Sequence, residues 1–139
     1  MNARFSAILA LAAFAALGSG WAVAGQAQPS SSLAMLDQVQ GGDWELRGRE
    51  QAGPPHRVCM RDARRLIQLR HPGEACSRIV VEDTPDQVTV QYTCPGRGYG
   101  RTQIRRETLG LLQINSQGIA RGRPFSFAME ARRVGACGS

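Results

Sequence analysis

Two histidines and four cysteines offer the most varied chemistry in this chain. His56 stands three residues before Cys59 and His71 five before Cys76, spacings at which imidazole and thiolate could share a zinc ion. No Cys-x-x-Cys pair is present, and in an oxidising compartment thiols pair with each other rather than wait for metal. No metal and no cofactor is therefore expected. A hydrolase needs a nucleophile beside a base, but there is no Gly-x-Ser-x-Gly, and each histidine adjoins a proline. Glu82, Asp83 and Asp86 crowd one turn, where carboxylates are ordinarily solvated and lack the burial that tunes a catalytic acid. No catalytic residue is assigned. A small enzyme or metal carrier of unassigned substrate stands as the alternative to a binding protein.

Arginine supplies all 17 basic side chains, against 11 acidic ones, and there is no lysine. Such a balance favours an anionic partner or merely keeps a surface solvated. Arg97, Arg101, Arg105 and Arg106 fall on or near one expected strand, and Arg121, Arg123, Arg132 and Arg133 on or near another. If those strands are neighbours, the eight make one basic sheet face for anionic envelope lipid or glycan, since guanidinium groups bind oxyanions bidentately. The competing reading is a polar outer face with cross-strand pairs to Glu107 and Glu130. Pro95-Gly96-Arg97-Gly98-Tyr99-Gly100-Arg101 has the look of a phosphate loop or an RNA-binding Arg-Gly segment. A phosphate loop opens a helix, whereas strand-like residues follow here. It reads as a turn in which glycine supplies positive φ, and nucleic acid is not an expected partner.

The elements that would position these groups are mostly strands. Val88, Val90, Tyr92 and Cys94 alternate with Thr89, Gln91 and Thr93, a period of two that separates an apolar from a polar face. Ile79–Val81 precede them, with a Thr84-Pro85-Asp86 turn between. Pairing about that turn brings Cys76 and Cys94, 18 residues apart, together. Such a bridge is worth about 3 kcal/mol through the unfolded chain's lost entropy. Four cysteines allow three pairings. The hairpin favours Cys76–Cys94 and leaves Cys59–Cys137 to join the early domain to its end.

Trp44 and Leu46 alternate with Glu45 and Arg47 in a first half-buried strand, and His56–Cys59 makes a second, the two forming a hairpin. Arg61–Arg70 is the one predicted helix, with Leu66, Ile67 and Leu69 near its end, lying across the sheet edge until His71-Pro72-Gly73 stops it. Tyr99–Thr108 and Leu109–Asn115 follow as strands, the second with Leu112 and Ile114 inward. Asn115–Gly118 is a predicted turn. Phe125, Phe127, Met129 and Ala131 then alternate through a final strand, Arg123–Val134. The expected fold is mainly β. It is an antiparallel meander of six to seven strands, a curved sheet or partly closed barrel, with one short helix and two disulfides.

The beginning of the chain reads as an address. Arg4, the apolar run Phe5–Leu17 and Ala22-Val23-Ala24 have the layout of a secretory signal peptide. The run is shorter than the roughly 18 apolar residues a membrane-spanning helix needs. No transmembrane segment is expected in the mature protein. Residues 1–24 are thus the expected signal, 25–40 a flexible leader in which Leu33, Met35, Leu36 and Val39 could form a short docking helix, and 41–139 a single β domain. The location is periplasmic or secreted, after cleavage near Ala24.

Several features occur in a distinctive order. They are Gly42-Asp43-Trp44-Glu45, Val58-Cys59 before a short helical segment, Cys76, Tyr92-Thr93-Cys94 before a glycine-rich turn, and Arg133-Val134-Gly135-Ala136-Cys137. In that order, over about residues 40–137, the chain resembles the small exported bacterial proteins grouped as domain of unknown function 3617. It departs from them in having few methionines and many arginines around its strands. The resemblance implies an exported, disulfide-bearing β domain and brings no catalytic residue with it.

Overall fold

A computed structural model describes residues 32–50 and 53–138. The expected signal peptide, and the leader as far as residue 31, lie outside the described residues. The chain runs through a short helix α1 (Ala34–Asp37), strands β1 (Gly42–Gly48) and β2 (His56–Met60), a 3-10 helix (Ala63–Gln68), and five more strands. These are β3 (Ser77–Asp83), β4 (Gln87–Cys94), β5 (Gly98–Thr108), β6 (Leu111–Ala120) and β7 (Arg123–Gly135). All seven strands form one antiparallel sheet in the order β2-β1-β7-β6-β5-β4-β3.

The meander holds from β3 to β7. The first hairpin departs from it, because β1 docks on β7 and leaves β2 and β3 as the two edges. Laid flat, seven strands would separate those edges by about 29 Å. Instead Val58 and Met60 of β2 line the same cavity as Arg78 of β3, a space of about 360 Å³. The sheet must therefore curl so that its margins approach, although it does not close.

The alternation expected from sequence places the core inside this curl. Trp44, Val88, Val90, Ile104, Leu112 and Ala131 are fully buried. They meet across the sheet by register, as in Val88↔Ile104 and Leu112↔Ala131. Leu33, Met35, Leu36 and Val39, around α1, join the same core. The Leu33 amide donates to Asp83 at 3.0 Å and Arg106 donates to Gln38 at 2.6 Å, so α1 covers one end of the curl.

The predicted helix Arg61–Arg70 is a six-residue 3-10 helix instead, and it crosses the inner face of β5 rather than the sheet edge. Its route is forced, because it must lead from one margin to the other. Asp62 caps it by accepting from the Arg64 amide at 2.9 Å, and the Thr102 hydroxyl donates to the Ile67 carbonyl at 2.6 Å. Gln68 ends it by donating to the carbonyls of His71 and Glu74.

The predicted turn Asn115–Gly118 is strand. Ser116 faces inward and bonds Thr102 at 2.7 Å. A Cβ on Gly118 would stand 2.1 Å from the Tyr99 carbonyl oxygen. These small residues serve close strand packing, not a reversal. The chain turns at Arg121-Gly122, with φ 51° and 76°.

Each disulfide fastens a margin. Cys76 and Cys94 extend the β3–β4 register one step past Ser77↔Thr93, with Cα atoms 4.2 Å apart. Cys59 on β2 reaches Cys137, just beyond β7, past the start of β1. Both bridges are the pairs expected from the hairpin and the two cysteines it leaves over.

Candidate functional site

The structure divides the eight arginines expected on one face. Strand β6 lies between β5 and β7, so the two arginine-bearing strands are not neighbours. Arg101, Arg105 and Arg132 share the outer face with the Gln103 and Glu130 rows. Arg105 pairs with Glu107 at 2.8 Å and Arg132 with Glu130 at 3.0 Å, along their own strands rather than across them. Arg106 turns inward to Asp86 at 3.3 Å, and Arg133 donates to the Gly41 carbonyl at 3.1 Å. Arg97 pairs with Glu74 at 3.5 Å. A single basic sheet face does not form. The physical reason is that a period-two strand sends successive arginines to opposite faces, and nearby carboxylates engage several of them.

Three arginines without a carboxylate partner among the described residues meet at the end of the curl opposite α1. Arg121 and Arg123 flank the β6–β7 turn there. Arg70, just past the 3-10 helix, stands with them. With Leu69 and Ala120 these three arginines line an open cavity of about 600 Å³. None of the three is ion-paired among the described residues. The Arg70 guanidinium lies over the Phe125 ring, Cζ 5.5 Å from its centre, and Phe125 stacks on Phe127 at 6.0 Å. A ring face attracts a cation and orients it.

A buried polar network lies beneath this end. His71, 3% exposed, places Nε2 3.2 Å from the Arg97 carbonyl and Nδ1 3.1 Å from the Tyr92 hydroxyl. A carbonyl only accepts, so Nε2 donates, and in the neutral ring Nδ1 then accepts the hydrogen bond of the Tyr92 hydroxyl. Burial pushes the Tyr92 phenol up, while the charge of Arg70 and the Ser116 hydroxyl act in the opposite direction. Among the described residues no buried side-chain polar atom lacks a partner. The network is sealed and satisfied, the arrangement of a structural core.

The spacings that suggested zinc do not converge. Cys59 and Cys76 are both in disulfides, His71 is inside the network, and His56 is exposed at the start of β2. The acidic turn is also spoken for. Glu82 accepts from Gln87 and Thr89, Asp83 from Leu33, and Asp86 from Arg106. The glycine-rich segment is the β4–β5 turn, with Gly96 at φ 74°, and strand β5 follows it. No described helix is long and apolar enough to cross a membrane.

Sequence reasoning assigned Arg70 to a helix and left it out of the candidate arginines. No local pattern signals it, because the packing of the 3-10 helix on β5 is what carries Arg70 to this end. Fold and site together define the class as an open, curled, disulfide-fastened antiparallel sheet with an arginine-rimmed end. No family model, no curated protein and no solved structure matches the chain.

Proposed function

We propose that this protein is exported to the periplasm or beyond and acts there as a non-catalytic binding or envelope-associated module for an anionic partner. The observation that carries the reading is the gathering of Arg70, Arg121 and Arg123 around one open cavity, unpaired among the described residues. The pairing of all four cysteines supports an oxidising compartment. The signal-like first 24 residues agree with it, as does the resemblance to the exported proteins of domain of unknown function 3617.

The test is co-sedimentation of the mature protein with lipid vesicles. Vesicles containing phosphatidylglycerol should retain it, and vesicles of phosphatidylcholine alone should not. Retention should fall steeply from low to high salt, because exposed charges are screened. Equal retention by both vesicles, or retention that salt leaves unchanged, would refute an electrostatic partner.

A further inference from the structure

We propose that the open end is a phosphomonoester-binding site, in which Arg70, Arg121 and Arg123 are the oxyanion-binding residues. This deepens the anionic-partner reading and rests on it.

Arg121 stands in left-handed backbone at the rim of this cavity. It occupies the first position of the two-residue Arg121-Gly122 turn at φ 51°. Hairpin turns of this kind favour Asn, Asp or Gly there, because a Cβ in left-handed backbone crowds its own carbonyl. The Arg121 side chain is exposed and makes no hydrogen bond among the described residues. It therefore takes on backbone strain with no return from packing. Strain of that kind at the rim of a cavity marks a group placed for an outside partner.

Arg47, Arg57, Arg64, Arg97, Arg105, Arg106 and Arg132 all find carboxylates. The three that share this cavity with Leu69 and Ala120 do not, and among the described residues no carboxylate lines the cavity beside them. Arg70 is also oriented in advance by Phe125, which lowers the ordering cost of binding.

The ligand class follows from the forks. Each guanidinium offers paired N–H donors matched to two oxygens. A phosphomonoester presents three terminal oxygens and up to two negative charges, enough for three forks to share. A carboxylate or a phosphodiester presents two. A cavity of about 600 Å³ exceeds what a phosphate alone fills, and Leu69 and Ala120 offer carbon surface to the group it is attached to. That group is either a lipid or a soluble sugar or polyol.

The experiment compares vesicles carrying phosphatidic acid, a monoester, with vesicles carrying phosphatidylglycerol, a diester, at equal surface charge. Glycerol 3-phosphate serves as the soluble competitor. The monoester surface should bind about tenfold tighter, the scale of one charge-assisted contact. Arg70→Gln, Arg121→Asn and Arg123→Gln should each remove that preference. Arg121→Asn should at the same time raise the melting temperature, because Asn accepts left-handed backbone. Direct binding of glycerol 3-phosphate in solution, without vesicle binding, would support the site and make its ligand soluble. Anionic vesicle binding with no monoester preference, unchanged in all three variants, would overturn the site while leaving the anionic-partner reading standing. A melting temperature lowered by Arg121→Asn would overturn the assignment of Arg121, since its role would then be structural. Failure to bind any anionic vesicle or phosphomonoester would overturn both.

Discussion

Arg121 donates its backbone N–H to the carbonyl of Arg97 at 3.0 Å, which ties the tip of the β6–β7 hairpin to the tip of β4–β5. The same carbonyl lies within hydrogen-bonding reach of His71 Nε2, at 3.2 Å. One oxygen thus joins the two hairpin tips to the segment that follows the 3-10 helix. The exposed arginines of the open end stand on a scaffold anchored in the core.

That anchorage predicts the effect of Tyr92→Phe. Losing the hydroxyl leaves His71 Nδ1 buried without a partner, at a cost of about 1–3 kcal/mol in urea unfolding. The variant should also change the alkaline limb. Burial raises the Tyr92 phenol above its ordinary value of 10.0. Its contribution is therefore complete below that value and is lost as pH rises through the folded-state pKa. Wild type should lose stability in that window, and Tyr92→Phe should lose less. An equally steep limb in the variant would assign the alkaline loss to another group.

The acid side concerns α1. The Asp37 carboxyl is held below its usual range by its hydrogen bond from Arg64. Its contribution is present above the unfolded-state value and is lost as pH falls through the lower, folded-state one. Amide exchange in residues 34–39 should accelerate in that acid window before exchange in β4–β6 does. In Arg64→Gln the same residues should exchange faster already at neutral pH, and their acid step should shrink.

Gly118→Ala tests the close approach of β5 and β6. The added Cβ would stand 2.1 Å from a backbone oxygen, which has no rotamer with which to yield. The expected loss is about 1–3 kcal/mol. Gly122→Ala makes the useful contrast, since nothing lies within 4 Å of its Cβ and only its φ of 76° resists. It should cost about 1 kcal/mol.

The bridges make unequal contributions. Cys59–Cys137 closes a 78-residue loop and Cys76–Cys94 an 18-residue one. The entropy of the unfolded chain then predicts losses of about 4.5 and 3 kcal/mol for the paired Cys→Ser variants. Non-reducing peptide mapping should recover these two pairs, and guanidinium titration of the double variants should rank them in that order.

What the sequence revealed follows from the distance over which each signal acts. Trp44 with Leu46, and Val88, Val90, Tyr92 and Cys94, declare their faces through nearest neighbours, and the structure buries them as the alternation requires. Leu66 and Ile67 are equally apolar, yet what decides their geometry is Thr102, 35 residues on from Ile67, whose hydroxyl reaches the Ile67 carbonyl. Ser116 and Gly118 carry turn chemistry by type, and only the proximity of Thr102 and Tyr99 makes them strand. The candidate site was half legible. Arg121 and Arg123 stood out as a cluster, but their companion Arg70 is brought to them by a crossing that no local pattern encodes.

Both sulfur bridges fasten outermost strands, so chemical reduction attacks the sheet where it is least supported. Opening Cys59–Cys137 would free β2, which holds only five residues against β1. Opening Cys76–Cys94 would loosen β3, whose Ile79 and Val81 already face solvent. Unhemmed margins recruit strands from other molecules. A reducing agent should therefore turn this protein into assemblies that scatter light at concentrations where the oxidised form stays clear, well before its core unfolds.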